Sequence, residues 1–105
     1  MIRHALLFKL KPGVTEQDRD RWMEEVRGLA RAIPVVRALT IGTDLMHLPR
    51  SYDVALVVDF DSVEHLLAYE RDPEHVRVAG VSRTVAEHTL SVDFEWQPEV
   101  PKARV

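Results

Sequence analysis

Ser51-Tyr52-Asp53-Val54-Ala55-Leu56-Val57-Val58-Asp59-Phe60 is the stretch that decides the fold. Its centre, Val54 to Val58, is the longest uninterrupted apolar run in the chain, and an aspartate stands at each end. A membrane span needs about 20 apolar residues, so this run cannot be one. It is rich in valine and apolar on both faces, which is the pattern of a central strand covered on two sides.

The flanks extend the pattern. Residues 2 to 11 alternate, with Ile2, His4, Leu6, Phe8 and Leu10 on one face and Arg3, Ala5, Leu7, Lys9 and Lys11 on the other. Period two over this length is a strand, and Pro12-Gly13 stops it. Thr15 reads as a helix N-cap with Asp18 at the capping-box position. Trp22, Val26, Leu29, Ala30 and Ile33 then recur at helical spacing until Pro34 ends the run. Val35 to Gly42 reads as a second strand, and Thr43 to Arg50 as a polar loop. Past the central stretch, Asp61 or Ser62 caps a second helix with Val63, Leu66 and Leu67 as its stripe. Asp72-Pro73 breaks it and starts a short helix to about Gly80, with proline at the first position. Residues 87 to 96 alternate again: His88, Leu90, Val92, Phe94 and Trp96 against Glu87, Thr89, Ser91, Asp93 and Glu95. The expected domain is 1-97. The tail, 98-105, has prolines and no periodicity.

The order β-α-β-β-α-β predicts an α+β, ferredoxin-like protomer. Right-handed crossovers put the helices on one face of a four-stranded antiparallel sheet. A chain of 105 residues makes one thin core. Yet Ala5, Leu7, Ala55 and Val57 fall on the face that the helices leave open. A partly apolar open face asks for a partner, and the expected one is a second copy, sheet against sheet, forming a dimeric α+β barrel.

Composition narrows the chemistry. Fourteen basic residues against 17 acidic ones give a net charge of −3, so no basic surface excess points to nucleic acid. Cysteine is absent, which removes thiol nucleophiles and cysteine-held metals. With no signal-peptide zones and no membrane span, a cytoplasmic protein is expected. There is no glycine-rich phosphate loop and no His-Glu-x-x-His, so neither a cofactor nor a metal is expected.

Imidazole, phenol and carboxylate groups remain. Of five histidines, His47 and His65 read as solvated surface, and His88 as a half-buried residue on the apolar face of the last strand. His4 is unusual, because it sits among Ile2, Leu6 and Phe8, where an imidazole needs a polar partner or a wet cavity. His75 falls in the first turn of the short helix, six residues after Tyr69 at the edge of the second helix's stripe. Tyr69 and His75 are the candidate catalytic pair. His4, Leu6, Phe8, Trp22 and Val58 are the candidate ligand-binding residues. The bland alternative is core packing for all of them.

Three segments together resemble the stress-responsive A/B barrel (Dabb) family: residues 2–11, residues 51–60, and Tyr69-Glu70-Arg71-Asp72-Pro73-Glu74-His75. The resemblance runs from residue 2 to about 96. It implies a ferredoxin-like protomer and a dimer whose sheets form a shared barrel. The family includes a plant cyclase that closes a linear polyketide by aldol chemistry without a cofactor. By that resemblance His75 would be the general base, Tyr69 its hydrogen-bonding partner or acid, and His4 a cavity-lining group. Many members have His-Pro-x-His where this chain has Asp72-Pro73-Glu74-His75. The implied function is a cofactor-independent cyclase or lyase acting on an apolar, polyketide-like carbonyl compound. The alternatives are a non-catalytic, stress-responsive ligand-binding dimer and, from other families with the same barrel, a cofactor-free monooxygenase.

Overall fold

Residues 1–98 are described by the computed structural model, and most of the tail lies outside them. The elements are β1 (Ile2–Leu10), α1 (Glu16–Ala32), β2 (Ala38–Thr43), β3 (Val54–Phe60), α2 (Val63–Arg71), α3 (Pro73–Val85) and β4 (Ala86–Glu95). They form one four-stranded antiparallel sheet in the order β2-β3-β1-β4, with the helices on one face. The fold is the ferredoxin-like α+β arrangement.

Short-range chemistry sets the helix starts. Thr15 Oγ1 accepts the Asp18 amide at 3.1 Å, and Ser62, not Asp61, caps α2 by accepting the His65 amide at 3.2 Å. Asp72 Oδ1 accepts the Glu74 amide at 2.9 Å, with Pro73 in the first turn. Each cap satisfies an amide that the helix cannot. Pro12-Gly13 turns the chain after β1, and Gly13 takes a φ of 86°, a region that glycine enters without steric cost.

The ends of α3 and β2 and the buried face of α2 differ from expectation. The helix expected to stop near Gly80 continues to Val85, because Val78, Val81 and Val85 keep turning an apolar stripe onto the core. The β2 ladder starts at Ala38, not Val35. Val35 and Val36 pack on the core from the turn after Pro34, where the Val36 amide bonds the Ile33 carbonyl at 3.1 Å. In α2 the buried residues are Leu66 and Tyr69, whereas Val63 and Leu67 are exposed.

The core lies between sheet and helices. Val54, Leu56, Val58 and Phe60 of β3 are buried there with Phe8, Trp22, Val26, Leu29 and Tyr69. Phe60 and Val58 have no exposed surface. A fully buried side chain of this kind contributes about 1.5–3 kcal/mol.

Strand β4 shows its other face. Directly paired residues share a sheet face, and His4 pairs with Asp93, Leu6 with Ser91 and Phe8 with Thr89. The polar row of β4 therefore looks toward the helices. Its apolar row, Leu90, Val92 and Phe94, lies on the open face beside Leu7, Ala5 and Arg3. Leu7, Leu90, Val92 and Phe94 are all exposed in the single chain. His88 shares that open face and is exposed, not half-buried. At one end of this face Arg3 makes a double hydrogen bond to Asp59, at 2.9 and 3.1 Å, and stacks 3.9 Å over the Trp96 ring.

Candidate active site

The polar row of β4 has a structural consequence. Small or polar side chains at Thr89 and Ala86 leave the helix-covered face unfilled along the β4 edge. A cavity of about 440 Å3 opens there, between β1, β4 and α3, with α2 at one end. Hollows of similar size occur elsewhere, but this one gathers His4, Tyr69 and His75.

Local sequence brings the three together. Leu66 and Tyr69 anchor α2 on the sheet, and the Asp72-Pro73 break folds α3 back so that His75 returns to Tyr69. Their rings are 4.5 Å apart between centroids, and His4 reaches the same tyrosine from β1 at 6.3 Å, edge-on. Phe60 packs on the tyrosine's remaining side at 5.0 Å.

His75 Nδ1 lies 3.1 Å from the Glu70 carbonyl oxygen. A carbonyl only accepts, so Nδ1 carries the proton and Nε2 is the basic nitrogen. Burial lowers the His75 pKa from its ordinary 6.5, and the proximity of His4 adds to this. The Glu70 carbonyl, the Glu70 carboxylate and Asp72 oppose it, and the net shift is downward. A neutral imidazole with Nε2 unprotonated is a general base at neutral pH.

Tyr69 is 1% exposed. Burial, with a further contribution from the Glu70 carboxylate, pushes its phenol above the ordinary 10.0. The phenol therefore stays protonated. It has no hydrogen-bond partner among the described residues, and its ring lines the cavity. The hydroxyl is thus an uncommitted donor.

His4 is buried at 5% exposure, and its Nδ1 contacts Asp93 Oδ1. The carboxylate holds the ring in the tautomer that leaves Nε2 as acceptor. Asp93 is the site residue that sequence reasoning missed. Alternation sets it in the row opposite the apolar one, and the β1–β4 register turns that row toward the helices and places Asp93 opposite His4. The signal was present: a histidine in an apolar row requires a polar partner, and the facing strand supplies one.

The other expected residues divide. Leu6 and Phe8 line the cavity with His4, while Trp22 and Val58 do not. Val58 is sealed in the core. Trp22 stands behind the cavity wall, donating from Nε1 to Ser82 Oγ at 2.9 Å. His47 is exposed, whereas His65 is half-buried, with a ring nitrogen that has no partner among the described residues. Among these residues no group of three or more acidic or histidine side chains is arranged to hold a metal ion, and no helix is long and apolar enough to cross a membrane.

Fold and site together define a ferredoxin-like domain with a histidine–tyrosine cavity between its sheet and helices. The family model of the Stress Responsive A/B Barrel Domain (Dabb) matches residues 2–96, and the chain belongs to that family. It is similar to olivetolic acid cyclase of Cannabis sativa, 26% identical over 95 residues that cover 89% of this chain and 94% of that protein. A dimeric ferredoxin-like protein of unknown function from Thermobifida fusca superposes with a TM-score of 0.82 at 27% identity, over 90% of each chain. The hydroxynitrile lyase of Passiflora edulis superposes at 0.84 with 18% identity, covering 95% of this chain and 96% of the lyase. At that identity it is a likeness of fold alone.

Proposed function

We propose that this protein binds a small, mostly apolar carbonyl compound in the Tyr69–His75 cavity and acts on it as a cofactor-independent cyclase or lyase. The observation that carries this reading is the pairing of a neutral imidazole with a protonated phenol in one cavity. His75 Nε2 takes a proton from the carbon beside a carbonyl. The electron pair moves onto the carbonyl oxygen, and the Tyr69 hydroxyl donates a hydrogen bond to the resulting enolate. The enolate carbon attacks a second carbonyl of the same chain, forming a carbon–carbon bond. The proton held by His75 then passes to the new alkoxide. His4, oriented by Asp93, holds a polar group of the substrate or product. Leu6, Phe8, Leu56 and Val78 supply the apolar wall.

The likeness to olivetolic acid cyclase supports ring closure as the reaction, and it extends through the segment with Tyr69 and His75. The working unit in this reading is a homodimer through the open sheet face, as the dimeric description of the Thermobifida fusca protein supports. A cysteine-free chain of this kind suits the cytoplasm. The second reading is a ligand-binding dimer without turnover. It is favoured by the packing of Tyr69 between Phe60 and His75, which fills space whether or not a reaction follows.

Incubation with a panel of linear polyketones, read by mass spectrometry, separates the two. The cyclase reading expects a dehydrated or cyclised product that is lost in His75→Ala and reduced in Tyr69→Phe. A general-base contribution of about 10²–10⁴-fold sets the expected loss in the histidine variant. Turnover that survives both changes contradicts the site assignment. Binding without turnover favours the second reading.

A further inference from the structure

Strand β4 carries one residue more than its ladder needs. His88 pairs with Lys9 and Ala86 with Leu10, so two steps along β4 face one step along β1, and Glu87 is left without a partner. This is a β-bulge on the edge strand. A regular strand sends consecutive side chains to opposite faces. Here Ala86 and Glu87, neighbours in sequence, both line the cavity beside Thr89. The extra residue therefore delivers to the cavity a carboxylate that an unbroken ladder would not place there.

That carboxylate is uncommitted. It has no hydrogen bond among the described residues, and its ion-pair contact there is the His88 ring at 3.9 Å. Arg83 also lines the cavity but lies back along α3, with Nη2 3.7 Å from where a β-carbon on Gly80 would stand. The Glu87 side chain is 48% exposed, so it forms part of the cavity's rim. His75 falls in the first turn of α3, and Glu87 lies just past its end. The helix of 13 residues, about 20 Å long, thus sets the carboxylate and the reactive imidazole at opposite ends of the cavity.

We infer that Glu87 selects ligands with an amine at the end remote from the carbonyl, which makes a long amino ketone the preferred class. This rests on the proposed binding of a carbonyl compound with its carbonyl end at Tyr69 and His75. A carboxylate only accepts hydrogen bonds, so it calls for a donor, and an ammonium group adds the opposite charge. Of the other charged groups lining the cavity, Glu70 lies at the histidine end and Arg83 is turned back along its helix.

The probes are unbranched methyl ketones of several lengths, each made with a primary amine, a methyl group or a carboxylate at its far end and titrated into the full chain by calorimetry. In the wild type the amine should bind about two- to fivefold tighter than the methyl-ended ketone of the same length, the strength of an exposed ion pair, and the carboxylate more weakly than either. Glu87→Gln keeps the bulge and removes the charge. It should erase the amine's advantage and leave the methyl-ended ketone bound as in the wild type. Deletion of Glu87 makes the ladder regular and should erase the advantage as well, whereas Glu70→Gln should keep it. An advantage that survives in Glu87→Gln, or that is lost only in Glu70→Gln, overturns the assignment and leaves the bulge as a device that blunts the β4 edge. A wild type that binds the methyl-ended ketones but gives the amine no advantage overturns the ligand class and leaves the proposed function standing. A wild type that binds none of the ketones contradicts the proposed function, and this inference with it.

Discussion

The two faces of this sheet are built from strands of similar composition but reach opposite ends. On the covered face, Phe8, Val54, Leu56, Val58 and Phe60 are closed off by α1, α2 and α3. Polar groups enter this face with His4 of β1 and with Thr89, Ser91 and Asp93 of β4, and the small side chains of Ala86 and Thr89 leave the edge open enough for a cavity. On the open face, Leu7, Leu90, Val92 and Phe94 remain in water in the single chain. The same alternation in β4 produces both features. Its polar row borders the cavity on one side, and its apolar row lies exposed on the other. The proposed site and the proposed dimer therefore rest on one strand.

The largest effect should come from the closed face. Phe60 is fully buried against Tyr69, and Phe60→Ala should cost about 3–5 kcal/mol by urea denaturation. Phe94→Ala, measured at dilutions where a dimer is dissociated, should stay within about 0.5 kcal/mol. Equal costs at the two positions would erase the difference between the faces.

Next in size is Val92→Asp, which puts a charge at the middle of the open apolar row. Light scattering should give twice the chain mass for the wild type and one chain mass for the variant. The wild type's melting temperature should rise with concentration, and the variant's should not. A monomeric wild type at micromolar concentration contradicts the proposed dimer.

His75 carries a pH signature. Its folded pKa is lowered below 6.5, mainly by burial. The neutral ring is thus preferred on folding. Its contribution to stability is full above 6.5 and is lost as the pH falls through the lower folded value. His75→Gln should flatten this acid limb of the stability curve by a fraction of its slope. The acid limb of any turnover should fall below pH 6.5 as well.

The smallest expected change is Thr15→Ala, at about 1 kcal/mol, because one amide at the α1 N-terminus loses its acceptor. It lies away from both the cavity and the open face, so ligand affinity and mass should be unchanged.

Much of this was legible in the sequence, for local reasons. Thr15, Ser62 and Asp72-Pro73 announce helix starts through contacts only two or three residues long. The valines of 54–58 identify the central strand, and Pro12-Gly13 and Pro34 mark its neighbours' ends. The resemblance of residues 2–11, 51–60 and 69–75 to one family pointed to the same fold and to Tyr69 and His75. The orientation of β4 was not legible. Alternation says that two rows exist, but which row meets the helices depends on register against β1, a long-range pairing with no local marker. That is why Asp93 was missed as the partner of His4 and why His88 was placed half-buried. Trp22 illustrates a related limit. Its apolar helical position marks it as buried, but only the fold shows that it backs the cavity wall instead of lining it.

The most direct test is a nitrogen-detected NMR titration of the histidine side chains, from about pH 5 to about pH 8, with and without a bound 2-alkanone. The account predicts that His75 is the Nδ1–H tautomer, that it protonates below 6.5, and that its Nε2 resonance shifts on ligand binding while His47 does not. An Nε2–H tautomer at neutral pH, or a His75 signal indifferent to every ligand that binds, would contradict it.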